Sequence, residues 1–387
     1  MLTKTYGAVV VGGGGAGIAA VGALLHFHKA MPIAWIDPDF IGGRISKRYR
    51  DVSSNTKTSW FLEYARAFEP FRQVVSSTPK PNAISVLEEL NQNRGCRLAY
   101  AADMLEMLTR GLLRFPNIDA WSGRVAQADF KNTSSLWSLH LGSADTPFKQ
   151  RIRSRSLVVC TGSSPTTISL PTSSICLDLD VVLDRRKLRS SLPATDKDVV
   201  VGVIGTSHSA IVAIMNLYEL ATGTHPCLRI KWFARGALSY AVEMDGWILR
   251  DNTGLKGASA DFAREHLEED KLSHSPVGRY VTKIQCPDAA NESMRPQLST
   301  CTRIVQAIGF TRDPLPRLTL DGNELKGITH DPVTGLLKDD KGRNIPHLYG
   351  AGIAFPERVT DPAGNTEMAV GLWKFIKYLN RVAPSWC

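Results

Sequence analysis

The sequence predicts an α/β fold built from parallel sheets, and three observations support this prediction. A short β-branched strand runs into a glycine cluster and then a helix in residues 9–26. The same order of strand, small-residue turn and helix recurs from residue 199 to residue 220. Two further apolar strands end in glycine, at residues 157–162 and 301–309, and would carry the chain from one unit to the other and back.

The first glycine cluster has the spacing of a dinucleotide site. Gly12, Gly14 and Gly17 satisfy G-x-G-x-x-G. In this pattern the first glycine makes a tight turn, the second lets the backbone approach a pyrophosphate, and the third lets helix and strand pack closely. The next strand, residues 33–36, ends at Asp37, where a carboxylate binds a ribose diol. These features favour a dinucleotide site over a glycine turn without a ligand.

Segments around this cluster supply further candidate contacts. A polar stretch at residues 52–57 is predicted to be a loop that lines the site, with Asn55 as its candidate functional residue. Residues 118–130 and 136–141 alternate as strands of a small β excursion, joined by a turn at 132–135. The other predicted cofactor contacts of the first unit are Gly15, Ala16, Pro38, Gly43, Arg44, Val125, Thr161 and Gly162.

The second unit has a weaker form of the same pattern. After the strand at residues 199–204 come Gly205, then Ser207 where the second glycine usually stands, and Ala210 at the third position. The following strand ends at Arg235 rather than at an acid, and an arginine holds the extra phosphate of NADP. His208 is predicted to contact a phosphate or to cap the helix, and Ser209 is a further predicted contact.

Two such units imply two dinucleotides, or one dinucleotide and a vestige. A nicotinamide cofactor and a flavin are the natural pair, because a flavin accepts hydride and passes electrons on singly or to oxygen. Towards the C-terminus, residues 348–355 are predicted to form the last strand and turn, which includes Gly352. Residues 361–367 then precede a predicted helix at 368–379, capped by Asp361 or Thr366, whose amides would stabilise negative charge on a reduced flavin.

Composition bounds the remaining possibilities. The chain has 387 residues, a net charge of +9 and seven cysteines, none of them in C-x-x-C spacing. The absence of this spacing argues against a disulfide framework, a structural zinc site and a dithiol redox centre, and it favours a reducing, cytoplasmic location. No metal site, specific nucleic-acid partner or membrane span is predicted. A homodimer is the expectation from general frequency alone.

Taken together, these motifs resemble the two-dinucleotide-binding flavoproteins, which include thioredoxin reductases, flavin-containing monooxygenases, Baeyer–Villiger enzymes and amine N-hydroxylases. The resemblance covers nearly the whole chain in order. It implies two Rossmann-like domains, with an NADPH domain (166–300) inserted into an FAD domain split between 1–165 and 301–387. The string at 54–57 is similar to the Asn-Thr loop of the flavin-containing monooxygenases, which places Asn55 by the reactive edge of the flavin. Gly352, Asn365 and Thr366 correspond to the C-terminal flavin segment.

Three departures from the patterns of these families limit how precisely the resemblance identifies the subfamily of the chain. The chain has no C-x-x-C, no Phe-x-Gly-x-x-x-His before Thr161, and Gly350-Ala351-Gly352 where the closing strand usually ends in Gly-Asp. The leading prediction is an FAD-dependent, NADPH-using monooxygenase that transfers one oxygen atom from a flavin hydroperoxide to a small organic substrate. Asn55 would hydrogen-bond the flavin or nicotinamide, and Arg44 and Lys57 would offset negative charge. The alternatives are a flavin oxidase or dehydrogenase with a degenerate NAD(P)H site, and a flavoprotein that uses FAD without redox turnover.

Overall fold

The computed structural model of the protein describes residues 4–142, 150–193, 197–286 and 294–387. Helices and strands alternate along most of these ranges. Up to residue 165 they are β1 (Thr5–Val11), α1 (Gly15–Phe27), β2 (Ile33–Asp37), α2 (Arg44–Arg48), β3 (Ser53–Lys57), α3 (Thr58–Arg66), α4 (Glu69–Ser77), α5 (Ala83–Glu89), β4 (Gly95–Arg97), α6 (Leu98–Leu112), β5 (Ile118–Ser122), β6 (Val125–Lys131), β7 (Leu136–Leu141), β8 (Gln150–Val159) and β9 (Ser163–Pro165).

The elements of the rest of the chain complete the fold. They are β10 (Ile175–Leu177), α7 (Leu179–Val182), α8 (Arg185–Ser191), β11 (Val199–Ile204), α9 (His208–Thr222), β12 (Leu228–Ala234), β13 (Val242–Glu243), β14 (Ile248–Leu249), α10 (Gly257–His266), α11 (Glu269–Leu272), β15 (Val281–Gln285), α12 (Met294–Leu298), β16 (Arg303–Gln306), β17 (Phe310–Arg312), β18 (Arg317–Leu320), β19 (Asn323–Glu324), β20 (Thr329–His330), β21 (Leu336–Lys338), β22 (Asn344–Gly350), β23 (Glu357–Thr360), β24 (Thr366–Ala369) and α13 (Leu372–Val382). Single 3-10 turns lie at Pro276–Arg279 and Ala383–Ser385.

The larger of the two main sheets is parallel where the first glycine cluster lies. Strands β5, β2, β1, β8 and β22 are parallel neighbours in that order. Strands β6 and β7 extend the sheet as the predicted excursion, whereas β5, which was predicted to belong to that excursion, pairs with β2 instead. The apolar run Val9–Val11 suits β1, because the strand is flanked on both sides and buried on both faces, by helices on the face of Val10 and by strands such as β6 and β7 on the face of Val9 and Val11.

The second sheet is entirely parallel and contains five strands in the order β10-β16-β11-β12-β15. Its strands lie between residues 175 and 306, so β16 belongs to it although the predicted boundary lies at residue 300. The chain leaves and re-enters the first sheet through β9 and β17, which pair antiparallel with each other. Both predicted glycine-ended strands therefore lead into or out of this two-stranded ribbon, and the predicted α/β class with two Rossmann-like sheets is confirmed.

Two segments differ from their predictions. Residues 53–57 form a strand paired with β4 rather than a loop. The predicted C-terminal helix begins at Leu372 with Gly371 as its N-cap, because Thr366–Ala369 is taken up as a strand against Glu357–Thr360. Asp361 caps the turn of that hairpin, accepting from the backbone N–H of Ala363 and Asn365, and caps no helix.

Candidate functional site

The first glycine turn is shaped by close backbone packing at its two ends and open space in its middle. Gly12 has φ +115, and a Cβ added there would lie 2.3 Å from the carbonyl oxygen of Cys160. A Cβ on Gly17 would lie 1.9 Å from the carbonyl oxygen of Gly12, whereas one on Gly14 would meet only the Gly43 Cα at 3.9 Å. The turn therefore forbids side chains where strand and helix meet and leaves an open cradle over the start of α1, as a pyrophosphate site requires.

Asp37 lies at the predicted place but is also bonded to the turn itself. Its carboxylate accepts from the backbone N–H of Gly13 at 2.6 Å, and from those of Asp39 at 2.9 Å and Phe40 at 2.7 Å. Oδ1 accepts two of these bonds and Oδ2 accepts one, so one acceptor site remains on Oδ2. Asp37 thus fixes the glycine turn and retains acceptor capacity for a hydroxyl group.

Two buried hydroxyl groups beside the turn have no hydrogen-bond partner among the described residues, the Oγ1 of Thr161 and the Oγ of Ser46. Thr161 follows Cys160, which packs on Gly12, and Ser46 lies against Gly42, which bridges to Gly14. Buried polar atoms are normally satisfied, so these two point to a ligand. Open cradle and orphaned hydroxyls together fit a bound dinucleotide.

Three helices contact this turn. Tyr64 of α3 donates its hydroxyl to the carbonyl oxygen of Gly15 at 2.6 Å. Leu372, the first residue of α13, fills the place that a side chain at Gly15 would occupy. Gly352 has φ +88 and packs on Ala16, where a Cβ would lie 2.4 Å from the Ala16 Cβ. The N-terminal ends of α1 and α13 therefore lie at one edge of the sheet.

The second glycine turn repeats the first in its contacts. Gly205 has φ +133, and a Cβ there would lie 2.3 Å from the carbonyl oxygen of Ala307. Trp232 donates its indole N–H to the carbonyl oxygen of Gly205 at 2.8 Å, as Trp35 does to that of Gly12 at 2.9 Å. Sequence reasoning missed both tryptophans, although their equal position in the second strand of each unit was a visible signal.

The remaining predicted residues of the second unit lie at the start of α9 and the end of β12. Ser207 is the exposed N-cap of α9, and its side chain makes no capping hydrogen bond. Ser209 is partly buried in the first turn. Arg235 follows β12, is exposed, and forms no ion pair among the described residues. An unpaired guanidinium at this position suits a phosphate group.

His208 joins β3 to the second unit rather than facing solvent. Its Nδ1 lies 2.8 Å from the Oγ of Ser259, near the start of α10. The backbone of Ser53 also hydrogen-bonds to it, and burial lowers its pKa to about 4, with Lys256 adding to the shift. His208 is therefore neutral at pH 7 and ties β3 to the first turns of α9 and α10.

Asn55 and Lys57 lie on β3 at the junction between the two sheets. The exposed Asn55 faces the start of α10, where a Cβ on Gly257 would lie 4.0 Å from the Asn55 Cα. Its Oδ1 accepts from Thr56, and no described residue accepts from its Nδ2. Lys57 instead forms an ion pair with Glu243 of β13 at 2.5 Å.

Arg44 is engaged in a network of its own. Its guanidinium pairs with Asp180 of α7 at 2.5 Å and donates to the hydroxyls of Tyr49 at 2.9 Å and Ser164 at 3.1 Å. Ser164 in turn donates to Asp313 at 2.5 Å. Both crossing strands are thereby linked to α2, and the structure gives Arg44 an architectural role beside the one predicted.

The other predicted residues are spread more widely. Val125 is buried at the start of β6, and Gly162 has φ +83 just before β9. Pro38 and Gly43 flank the turn after β2, where Gly43 has φ +71 and touches Gly14. Asn365 and Thr366 lie exposed in the β23–β24 hairpin, six residues or fewer before the α13 N-cap. Cys160 is inert, because burial raises its pKa to about 12.

Comparison with known proteins assigns the chain to a family. No family model matches it. It is 50% identical over 383 residues to Monooxygenase AgnR1 of Paecilomyces divaricatus, which covers 98% of this chain and 97% of that protein. Such identity over the full length of both chains shows common family membership.

Solved structures with low sequence identity share the fold. KtzI, an ornithine N-hydroxylase from Kutzneria sp. 744 described with reduced FAD, NADP+ and L-ornithine, has a TM-score of 0.64 at 14% identity over 99% of both chains. The bacillithiol disulfide reductase Bdr from Bacillus cereus has a TM-score of 0.54 at 16% identity, also over 99% of both. Because these two catalyse different reactions, the fold alone does not select one. The sequence relative does, and the chain belongs to the monooxygenase family that includes AgnR1.

Proposed function

We propose that this protein is an FAD-dependent, NADPH-using monooxygenase that transfers one oxygen atom of dioxygen to a small organic substrate. The observation that carries the proposal is the pair of glycine turns built with the same contacts. Among the described residues, two buried hydroxyl groups beside the first turn have no hydrogen-bond partner, and Arg235 beside the second forms no ion pair. When bound, a flavin supplies hydride acceptance and oxygen activation. The family assignment and the two turns support the same conclusion.

The first unit would hold FAD. The open cradle at Gly14 and the free N–H groups at the start of α1 suit the pyrophosphate, and the remaining acceptor capacity of Asp37 suits a ribose hydroxyl. Thr161 and Ser46 would each gain the partner that they lack among the described residues. The first turn of α13 lies over Gly15, so its amides and positive dipole end would favour negative charge nearby.

The second unit would hold NADPH. Ser207 and the first amides of α9 would face the pyrophosphate, and Arg235 would bind the 2′-phosphate that distinguishes NADPH from NADH. His208 would have a positioning role, because its ring already forms hydrogen bonds with Ser259 and with the backbone of Ser53. We retain the predicted insertion of this domain into the other, with its end moved past β16.

Asn55 would orient the reacting groups. Its Nδ2 is an exposed donor on the strand that His208 ties to the second unit, and we infer that both cofactors would meet beside it. Lys57 and Arg44 would contribute to the field only indirectly, since Glu243 and Asp180 offset their charges. Closing this junction to water would protect the reaction. None of the described helices is long and apolar enough to cross a membrane; a cytoplasmic location and a homodimer remain part of the proposal.

A second candidate keeps FAD but not NADPH. Ser207 in place of a glycine favours an oxidase or dehydrogenase with a degenerate second site, and Ala351 in place of the usual acid favours a flavin without redox turnover. The family assignment argues against both.

An absorption spectrum tests the proposal. Purified protein is followed anaerobically with NADPH and, separately, with NADH, and then on admitting air. We expect a bound yellow flavin that NADPH bleaches faster than NADH and that reoxidises in air. Protein that stays colourless after reconstitution with FAD contradicts the flavin assignment, and flavin that both nucleotides leave oxidised contradicts the NADPH assignment.

A further inference from the structure

Exposed apolar side chains are concentrated at the junction that carries Asn55. Five of the ten exposed large hydrophobic residues of the described chain lie on three segments there. They are Trp60, Val242, Met244, Met368 and Val370. Apolar surface gathered at one place marks a binding site more often than scattered single residues do.

These segments are tied together by polar contacts. Val242 and Met244 flank Glu243, which pairs with Lys57. Asn252, just beyond the same hairpin, accepts from the backbone N–H of Val370 at 3.3 Å and from Lys374 at 2.5 Å. The β13–β14 hairpin, β3 and the start of α13 therefore border one surface, which we call the apolar junction.

The centre of the apolar junction is a pair of stacked indoles. Trp60, in the first turn of α3, and Trp373, in the first turn of α13, have ring centroids 5.4 Å apart and planes inclined by 27°. Trp60 is still 38% exposed. Leu372, next to Trp373, packs against Gly15, so the pair stands beside the first glycine turn.

Three of the cations that border this surface are already paired, whereas the exposed Arg358, opposite Met368 in the β23–β24 pairing, forms no ion pair among the described residues. Lys57 forms an ion pair with Glu243 at 2.5 Å, and Lys374 forms one with Asp251 at 2.7 Å. Lys256 is bonded to the other carboxylate oxygen of Asp251. These three lysines offer no free charge to an ionised ligand.

We propose that the Trp60–Trp373 pair is the substrate platform and that the substrate is a planar aromatic compound. A flat ring would stack on the open face of Trp60, and the adaptable side chains of Met244 and Met368 would close over it. The Nδ2 of Asn55 would donate to a hydroxyl or carbonyl oxygen on that ring. This inference rests on the proposed function, since it names the substrate class of the same site.

Equilibrium binding to the flavin-loaded protein tests the platform. The probes are 2-naphthol, cyclohexanone and L-ornithine, each titrated by calorimetry. We expect 2-naphthol to bind tightest. Trp60→Ala should weaken its binding by about tenfold, the loss of one stacking contact together with its apolar area. Trp60→Phe should retain most of the affinity, and Val333→Ala, an exposed apolar residue elsewhere, should not change it.

The double variant Met244→Ser/Met368→Ser provides a second test should Trp60→Ala lose its flavin, and it should weaken 2-naphthol severalfold. The proposal is overturned if 2-naphthol binds Trp60→Ala and the native protein equally, or if either of the other probes binds tighter. It is also overturned if sedimentation shows a dimer that Trp60→Ala dissociates, because a second copy then covers the surface. Flavin reduction by NADPH, measured on the same samples, reports separately on the proposed function.

Discussion

Arg44 and Asp180 form an ion pair across 136 positions of sequence, with 2.5 Å between the guanidinium and a carboxylate whose side chain is 3% exposed. Tyr49 donates to the second oxygen of Asp180 at 2.8 Å. The pair joins α2, the helix after β2, to α7, the first helix after the chain crosses to the second sheet. It is one of the contacts that tie the two units together.

Removing this carboxylate should destabilise the protein. Asp180→Ala leaves a partly buried guanidinium and a phenol without their acceptor, and we expect a loss of about 2–4 kcal/mol in the free energy of unfolding. Asp39→Ala is the matched control, because the Lys47–Asp39 pair on the same helix is exposed and should contribute no more than about 1 kcal/mol. Denaturant unfolding measures both, and equal losses would show that the Arg44 network has no special weight.

The middle and the end of the glycine turn should respond differently to a methyl group. Gly14 has φ −80 and an open approach, so Gly14→Ala should fold within about 1 kcal/mol of the native protein but lose FAD. Gly17→Ala should instead destabilise the apoprotein by roughly 2–3 kcal/mol, because its Cβ would overlap the Gly12 carbonyl. Flavin content and unfolding of the flavin-free proteins separate the two effects. Full flavin content in Gly14→Ala would rule out a pyrophosphate at this cradle.

Arg235 should determine the choice of nucleotide without affecting stability. Arg235→Ala removes one charge-assisted phosphate contact, so kcat/KM for NADPH should fall about ten- to a hundredfold while that for NADH is unchanged. The melting temperature should not move, since Arg235 has no ion pair among the described residues. Arg229→Ala, at the other end of β12, is the control. A parallel fall with both nucleotides would disprove recognition of the 2′-phosphate.

His208 should make stability depend on pH. Burial holds its pKa at about 4, against 6.5 for a free histidine, so the unfolded chain binds the proton first as the pH falls. The unfolding free energy should therefore drop by about 2 kcal/mol between pH 7 and pH 5 through this residue alone. His208→Gln should lose that part of the dependence, and His274→Gln, an exposed histidine, should keep it. Identical pH profiles for all three proteins would contradict a buried neutral His208.

Asn55 should matter for coupling and not for assembly. Asn55→Ala removes the exposed amide at the junction while leaving the β3–β4 pairing intact, so FAD should be retained. The ratio of oxygenated product to NADPH consumed should fall, with hydrogen peroxide accounting for the difference. Asn323→Ala, an exposed asparagine on β19, provides the control. Native product yield in Asn55→Ala would remove this residue from the mechanism.

Both glycine turns could be predicted because their signals are local. Gly12 and Gly205 each follow a run of β-branched residues, and the carbonyl groups nearest to them, those of Cys160 and Ala307, lie at the ends of strands predicted from the same pattern. The start of α13 was placed wrongly for a long-range reason. Glu367 accepts hydrogen bonds from Asn252 and Thr253, which lie more than 110 positions away in the sequence. With these contacts the segment forms a strand, although its local pattern favoured a helix.

The ion pairs at the junction could not be predicted from the sequence for the same reason. Lys57 and Arg44 were predicted to offset charge on a flavin, yet their partners Glu243 and Asp180 lie in segments with no recognisable motif. Ion pairs between distant side chains leave no periodicity in the chain. Only three-dimensional packing shows that these charges are already balanced.

Trp35 and Trp232 each hold the carbonyl of the first glycine in a turn, and a carbonyl held in this way is not free to rotate. Each turn is therefore rigid before any nucleotide binds. The backbone of the turn loses its conformational entropy when the protein folds, so this loss does not oppose nucleotide binding. Both nucleotide sites should therefore be preformed in the cofactor-free protein. Its cofactors should be stripped and restored repeatedly without the chain refolding, as indole fluorescence that remains constant through each cycle would show.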